Sequence, residues 1–292
     1  MSAFLSLSDR GKNGALRWLL GIVIVLFFWL VVGSLLATPF LVFSGALLTG
    51  SLAGGDPFWV YLGTNVSFLG IWIGLWLAVR VVHQRAFLTL VTPAPKISWL
   101  RLAQGFGVWF GLIALFQVLE FAIYPSRAQW TFDAARWLRF LPFVLLLTPI
   151  QTSAEELLFR GYFLQGSGRL TKNATVLIVL NGVLFAAPHM LNPEVLNNSG
   201  SAQLLFLNYF LIGAAFAFYT LCDNRLELAL GAHAANNFFG ALLVNYADSA
   251  LPTPAIFTNP TLDATFGLVT LVISTILFYA LVFRVRRFSA LA

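Results

Sequence analysis

A small set of ionisable and amide side chains lies within otherwise apolar stretches in the second half of this sequence. The set consists of Glu155, Glu156, Arg160, His189, His233 and Asn237. A charged group in the middle of a bilayer costs at least about 2.5–3.5 kcal/mol on insertion scales, so such residues are functional candidates. Carboxylates and imidazoles transfer protons, and His and Asn side chains donate hydrogen bonds to a developing oxyanion. These types indicate acid–base chemistry at a carbonyl group, although a proton relay or a structural polar network would use the same types.

The two glutamates are adjacent in sequence, and the position of Arg160 indicates which of them has a structural role. On a helix, adjacent side chains point about 100° apart, so we expect only one of them to face a small site. Arg160 follows Glu156 by four residues, which predicts an ion pair on one helix face. Glu156 is then the structural partner of Arg160, and Glu155 is left for chemistry. The alternative is that all three residues form one buried network that holds helices together.

His189 and His233 are two further candidate site residues. Pro188 directly precedes His189 and removes a backbone donor, which could open space for water or a substrate backbone. His233 and Asn237 are four residues apart and share a helix face, which suits a pair of oxyanion donors. A single histidine in an apolar helix is usually a core residue, and the His233–Asn237 pair could equally be a polar clamp between helices.

The surrounding composition indicates a membrane protein. Hydrophobic residues make up 59% of the 292 residues and charged residues 10%, with a mean hydropathy of +0.86. The apolar runs are apolar on every side and approach the roughly 20 residues that a spanning helix needs, which excludes a barrel of alternating strands. We predict an all-α bundle with eight spans in one integral membrane domain, residues 1–292. The spans are 18–38, 58–79, 102–123, 140–163, 175–191, 203–221, 228–246 and 266–283.

The distribution of basic residues predicts the orientation of these spans. If the N-terminus is cytoplasmic, only Arg127, Arg136 and Arg139 of the 17 Lys and Arg residues fall outside. The C-terminal pair Arg286 and Arg287 then lies inside, so both termini are predicted to be cytoplasmic. The net charge of +6 is explained by topology and by contact with anionic lipid, and it does not indicate a nucleic-acid partner.

Three segments on separate predicted spans resemble the motifs of the CAAX-prenyl-protease and bacteriocin-processing family of intramembrane endopeptidases. Residues 155–160 match Glu-Glu-x-x-x-Arg, residues 185–189 match Phe-x-x-x-His, and residues 233–237 match His-x-x-x-Asn. The matching stretch suggests a peptidase core at about residues 140–246. The resemblance implies that Glu155 is the general base, that His189 helps it to orient and activate water, and that His233 and Asn237 stabilise the oxyanion. It also implies that Glu156 and Arg160 hold the fourth helix in place.

The involvement of a metal is a separate question. Glu155, His189 and His233 could supply three ligands to Zn²⁺ with an open fourth position. The sequence lacks His-Glu-x-x-His, and its single cysteine, Cys222, excludes a thiolate cluster. We therefore expect no obligatory metal and no other cofactor.

The expected partners are membrane lipid and a membrane-associated or CAAX-like peptide or protein substrate. The compact links and the range of the family suggest a multi-pass protein of the bacterial cytoplasmic membrane. Two alternative functions remain open at this point: a proton-coupled transporter, since intramembrane Glu and His also build proton relays, and a non-catalytic bacteriocin-immunity or scaffold protein of the same fold.

Overall fold

A computed structural model of the chain describes residues 3–50, 52–127, 129–197, 199–260 and 262–284. Arg286 and Arg287, assigned to the inner side, lie outside these residues. Eight long helices follow one another in the described part of the chain: α1 (Ala15–Ser44), α2 (Pro57–Val82), α3 (Trp99–Ile123), α4 (134–170), α5 (Ala174–His189), α6 (Ala202–Asp223), α7 (Glu227–Leu242) and α8 (Ala264–Arg284). They coincide with the eight predicted apolar runs, so the all-helical membrane class is confirmed.

Shorter elements connect these helices. Single helical turns lie at Leu5–Arg10, Ala46–Thr49, Leu52–Gly54, Phe87–Leu90, Pro125–Arg127, Pro193–Leu196 and Ser199–Ser201. Four of the long helices contain wider π-helical segments, at Phe28–Val32, Ala78–Val82, Leu157–Phe163 and Ala280–Arg284. Two strands, β1 (Val244–Tyr246) and β2 (Phe257–Asn259), pair in parallel.

The helices differ in the length and hydropathy that a membrane-spanning helix requires. In the described residues, α1, α2, α3, α6 and α8 are long and apolar enough to do so. Helix α4 carries the charges of the first motif, and α5 and α7 have 16 residues each, so these three helices do not meet the same criterion. Eight crossings with both termini in the cytoplasm therefore stay a prediction.

The predicted seventh span is wrong at its C-terminal end. Residues up to Tyr246 were expected to be helical, but α7 ends at Leu242 and the chain continues into β1. The returning chain binds the free carbonyls at this end, because Ile256 N donates to Leu242 O at 3.3 Å and Phe257 N to Leu243 O at 2.9 Å. The buried Asn245 side chain donates to Leu251 O in the following link at 3.0 Å. Tertiary pairing thus replaces the last helical turn.

Capping residues explain where the helices that carry the motifs begin and end. Asp133 precedes α4, and its Oδ1 accepts a hydrogen bond from Arg136 N at 3.0 Å. Asn173 precedes α5 and accepts from Thr175 N at 3.0 Å. Asn224 ends α6 with a φ of 56°, in the left-handed region that Asn tolerates better than most residues. These short polar caps fix the lengths of the helices around the site.

The connecting segments alternate between the two ends of the bundle. We call one the terminal end; it contains residues 3–13 and the links 83–98, 171–173 and 224–226. Lys12 N donates to His83 O at 2.6 Å, which joins the N-terminal segment to the α2–α3 link. Leu226 N donates to Val91 O at 2.8 Å, which joins that link to the α6–α7 link.

The opposite end, which we call the distal end, contains the links 45–56, 124–133, 190–201 and 243–263. Trp130 forms an antiparallel bridge with Phe257, so the α3–α4 and α7–α8 links lie side by side. Ala250 N donates to a carboxylate oxygen of Glu194 at 3.1 Å, which adds the α5–α6 link. One long helix therefore separates each link from the next, and the eight long helices bring Arg284 to the same end as residues 3–13.

Helix α4 lies between several of the others. It contacts α2 and α7 along its first part, and its π-helical segment contacts α5 and α6. Helix α3 packs mainly on α7, and α6 packs on α5 and α8. Helix α4 therefore contacts both of the other motif-bearing helices, α5 and α7, although α6 separates those two in sequence.

Candidate active site

The three motifs meet at one cavity of about 240 Å³ between α2, α4, α5, α6 and α7. Glu155, His189, His233 and Asn237, the four residues predicted to do chemistry, all line it. Apolar walls come from aromatic and aliphatic side chains such as Phe68, Ile212 and Phe216. A cavity of mainly apolar lining with a few convergent polar groups is typical of a binding or catalytic site.

Glu155 presents its two carboxylate oxygens to different environments. Oε1 accepts a hydrogen bond from Gln151 Nε2 at 2.8 Å, one turn earlier on α4. Oε2 lies 3.3 Å from His233 Nε2, but this contact is not aligned as a hydrogen bond, and Oε2 is a buried atom without a hydrogen-bond partner. A buried polar atom left without a protein donor at the edge of a cavity requires another partner, and a water molecule fits that role.

Glu156 does not line the cavity and is fully buried behind it. Its Oε1 accepts from Arg160 Nη1 at 2.8 Å, and both side chains are 0% exposed. The guanidinium also reaches α6, because Arg160 Nη2 donates to Ile212 O and Gly213 O at 3.3 Å each. This ion pair therefore ties α4 to α6 next to the site.

Only Glu155 lines the cavity, as helix geometry predicted, but both glutamates contact the same histidine. His233 Nδ1 lies 2.7 Å from Glu156 Oε1, while its Nε2 faces Glu155. The two nitrogens of an imidazole point in different directions, so one ring can contact two carboxylates that leave a helix at different angles. Because a carboxylate accepts, Nδ1 is the donor to Glu156.

His189 is the last residue of α5 and is held from three sides. Its Nδ1 lies 2.7 Å from Phe185 O; a carbonyl only accepts, so Nδ1 carries a hydrogen and Nε2 is the nitrogen left to accept. The ring lies between two aromatic rings, Phe185 at a centroid distance of 4.5 Å and Tyr209 at 4.4 Å. Phe185 also packs 4.3 Å from the Arg160 guanidinium. The Phe of the second motif thus connects the buried ion pair to His189.

Asn237 is connected to Glu155 through a residue that the sequence analysis missed. Asn237 Nδ2 donates to Gln151 Oε1 at 2.8 Å, and Gln151 in turn donates to Glu155. Gln151 precedes Glu155 by four residues, and this spacing is the signal that could have identified it. The amide of Asn237 is oriented by this chain of hydrogen bonds.

A second acidic residue of the cavity, Glu194, was also missed. It lies in the α5–α6 link and is 1% exposed. Its Oε1 accepts from Asn192 Nδ2 at 2.9 Å and from the hydroxyl of Tyr209, the residue that stacks on His189. Glu194 follows a predicted span within a short polar link, and its sequence context gives no signal that it is buried.

The metal alternative can be compared with this arrangement. Within the described residues, no three His, Cys, Asp or Glu side chains form a group that could hold a metal ion. Glu155, His189 and His233 line the same cavity without forming such a group, and His189 already uses one nitrogen on a backbone carbonyl.

Comparison with known proteins agrees with the arrangement of the motifs. The family model of the type II CAAX prenyl endopeptidase Rce1-like proteins matches residues 135–239, which contain all three motifs. The uncharacterized protein YyaK of Bacillus subtilis (strain 168) is 39% identical over 217 residues, covering 72% of each chain. No solved structure matches the chain. Three polar motifs on neighbouring membrane helices, a shared cavity and this similarity lead to one assignment: the chain belongs to the Rce1-like family of type II CAAX prenyl endopeptidases.

Proposed function

We propose that this chain is an intramembrane endopeptidase that hydrolyses peptide bonds of membrane-associated proteins or peptides with Glu155 as the base. The observation that carries the proposal is the asymmetry of Glu155: one oxygen is fixed by Gln151, and the other is buried at the cavity without a protein donor. A water molecule bound at Oε2 loses a proton to the carboxylate as its oxygen attacks the peptide carbonyl carbon. The carbon–nitrogen bond then breaks, and the proton on Glu155 passes to the leaving amine.

The other cavity residues have distinct tasks in this reaction. His233 Nε2, beside Glu155, stabilises the proton that the base acquires. His189 Nε2 accepts the second hydrogen of the water and orients it. Asn237 donates to the oxyanion, since its amide lines the cavity and is fixed by Gln151. Removing one such donor typically costs about 2.7–4 kcal/mol of transition-state stabilisation. The reaction proceeds without an obligatory metal in this proposal.

The proposed setting is the cytoplasmic membrane of a bacterium. The similarity to a Bacillus subtilis protein supports a bacterial source, and the apolar helices require a bilayer. Substrates are membrane-associated, because the reacting groups lie within the helical bundle and not on its surface.

The proposal is tested by comparing the peptides released from membranes that contain either the wild type or Glu155→Gln. The variant keeps the shape of the side chain and the acceptor for Gln151, and it removes the base. We expect specific cleavage products to fall by about 100–10,000-fold, the usual contribution of general acid–base catalysis. Glu120→Gln is the matched control, because Glu120 is a buried glutamate of α3 outside this cavity.

Two results would count against an endopeptidase. Identical peptide profiles for the wild type and Glu155→Gln, both correctly folded, would favour a non-catalytic immunity or scaffold role. Glu155-dependent movement of protons across sealed vesicles without any change in peptides would favour a proton-coupled transporter.

A further inference from the structure

The two histidines of the cavity are held in different ways. His233 has a carboxylate bonded directly to its ring, since its Nδ1 lies 2.7 Å from Glu156 Oε1. The ring of His189 is bonded instead to a backbone carbonyl, Phe185 O, at 2.7 Å from Nδ1. The torsion that turns an imidazole has broad minima, so one hydrogen bond fixes its orientation poorly. A second constraint therefore has to fix the direction of His189 Nε2.

This second constraint is an aromatic ring. Tyr209 of α6 stacks on the imidazole of His189 with a centroid distance of 4.4 Å and an interplanar angle of 29°. Phe185 packs against the same imidazole at 4.5 Å and 35°. An imidazole between two rings cannot turn without displacing one of them, so the position of Tyr209 determines the orientation of His189.

A buried carboxylate holds Tyr209 in that position. The Tyr209 hydroxyl donates to Glu194 Oε1. Asn192 Nδ2 donates to the same carboxylate oxygen at 2.9 Å and to the Tyr209 hydroxyl at 3.2 Å. Glu194 is 1% exposed, and hydrogen bonds to a carboxylate are strong where water is largely excluded. The hydroxyl end of Tyr209 is therefore firmly held.

The main chain closes these contacts into a ring around the histidine. Asn192 N donates to His189 O at 3.0 Å, so the amide that supports Glu194 belongs to a residue bonded to His189 itself. The other oxygen, Glu194 Oε2, accepts from Ala250 N at 3.1 Å. Glu194 thus joins the end of α5, the side chain of Tyr209 on α6 and the α7–α8 link.

We propose that Glu194 is a positioning residue of the site: it holds Tyr209 against His189 and so fixes the direction of His189 Nε2. The catalytic consequence rests on the proposed endopeptidase function, in which His189 Nε2 orients the attacking water, whereas the orientation of the ring does not rest on it. An imidazole that turned freely would accept the hydrogen of the water in only a fraction of its orientations. Glu194 acts through Tyr209 and exchanges no proton with the substrate.

Steady-state kinetics test the catalytic consequence. Tyr209→Phe keeps the ring and removes the donor to Glu194. Glu194→Gln replaces one carboxylate oxygen by an amide nitrogen, so the donors to that oxygen lose their acceptor. A misplacement of about 1 Å can lower a rate about 100-fold, so we expect kcat to fall by about 10–100-fold in both variants, with KM little changed.

Two residues that do not line the cavity serve as matched controls. Glu227 is 0% exposed, and its Oε1 accepts from Ser98 N at 3.1 Å, so it also joins a link to a helix. Tyr219 is a buried tyrosine of α6 whose hydroxyl donates to Thr275 O at 2.8 Å. Glu227→Gln and Tyr219→Phe should leave kcat unchanged. An equal loss of kcat in these controls would indicate a general structural effect and would overturn the positioning role.

The kinetics also separate positioning from the other roles that a cavity residue can have. If Glu194 acts through the Tyr209 hydroxyl, adding Glu194→Gln to Tyr209→Phe should lower kcat by less than about twofold further. Independent losses that multiply would contradict this inference. A raised KM with an unchanged kcat in Glu194→Gln would show that Glu194 binds substrate instead.

NMR of the histidine rings tests the geometry independently of activity. The chain has three histidines, so isotope-labelled rings give few signals, and His189→Gln identifies those of His189. Between two aromatic rings, the ring protons of His189 should resonate upfield. We expect Glu194→Gln and Tyr209→Phe to move these signals downfield, and the two controls to leave them in place.

Unchanged His189 signals in Glu194→Gln would overturn the inference, whatever the activity of the protein. If Glu194→Gln did not fold, Tyr209→Phe would decide the question by the same measurement. Shifted His189 signals, together with equal cleavage by the wild type and Glu155→Gln, would contradict the proposed function and still support the positioning of His189 by Glu194.

Discussion

The buried Glu156–Arg160 pair allows a quantitative test of the division of roles between the two glutamates. Both side chains are 0% exposed, and their contact is 2.8 Å long. Glu156→Gln keeps the shape and an acceptor for His233 but leaves the Arg160 charge without its direct partner. Breaking a buried pair from one side costs about 3–5 kcal/mol, and solvent screening does not reduce this value for a fully buried pair. At roughly 2 °C per kcal/mol for a chain of this size, the thermal midpoint should fall by about 6–10 °C.

The assay is thermal unfolding of the purified protein in detergent, followed by tryptophan fluorescence. Two control variants should lose much less stability. Glu155→Gln should leave the midpoint close to that of the wild type, since the new amide still accepts from Gln151 at the edge of a cavity. Glu120→Gln disrupts a contact to Arg127, whose side chain is 28% exposed and also paired with Asp263. For this more exposed pair we expect a loss of about 1 kcal/mol or less.

A double variant separates loss of the charge pair from simple loss of packing. Combining Glu156→Gln with Arg160→Met removes both charges, so no uncompensated ion remains in the core. The double variant should be more stable than the sum of the two single changes predicts. A wild-type midpoint for Glu156→Gln, or strict additivity in the cycle, would refute the structural role of Glu156. Activity abolished by Glu156→Gln and retained by Glu155→Gln would show that the two roles are reversed.

Three further predictions concern catalysis, metal and pH. Asn237→Ala should lower turnover by about 100–1,000-fold with little change in substrate binding, because the amide acts on the oxyanion; a near-silent variant in steady-state kinetics would exclude that role. Elemental analysis of purified protein should find far less than one zinc per chain, with activity preserved in chelator; stoichiometric zinc that is lost on replacing His189 or His233 would establish a zinc enzyme instead. Burial lowers the pKa of His83 below its ordinary value, with the nearby Arg85 and Arg17 acting in the same direction against its hydrogen bond to Lys12 O. The unfolded state therefore binds more protons, so stability should fall as pH drops below about 6.5, and thermal scans of His83→Gln should show a weaker decline.

Much of the fold could be predicted because lipid imposes simple rules on sequence. Long apolar runs predicted the positions of all eight helices, and polar residues within them marked α4, α5 and α7 as the helices that carry chemistry. The end of α7 could not be predicted, because β1 forms only by pairing with β2, a strand that occurs later in the sequence. Residues 243–246 are as apolar as a helix would be, so only the tertiary pairing decides their conformation.

The site was predictable to a similar extent. Spacing along one helix is visible in sequence, and Gln151 could have been identified from its distance of four residues to Glu155. The contact of His233 with both glutamates depends on how α7 is rotated against α4, which no local pattern encodes. Glu194 is beyond prediction for the same reason, since its burial results from two links that meet at the distal end.

The π-helical segment Leu157–Phe163 directly follows the two glutamates. Its wider turns have i→i+5 hydrogen bonds, so the segment accommodates an additional residue within α4. Deleting a single residue there would remove the wider turn and restore ordinary α-helix, with little change in the relative rotation of its two ends. Deleting one from the α-helical part before Glu155 would instead rotate Glu155 by about 100° relative to the start of α4. Glu155 would then leave the cavity, while each residue of the motif still occurred in the sequence. The number of residues in the α-helical part of α4 is therefore as much a determinant of the site as their chemical identity, and a deletion before Glu155 should be tolerated far less than a deletion within the π-helical segment.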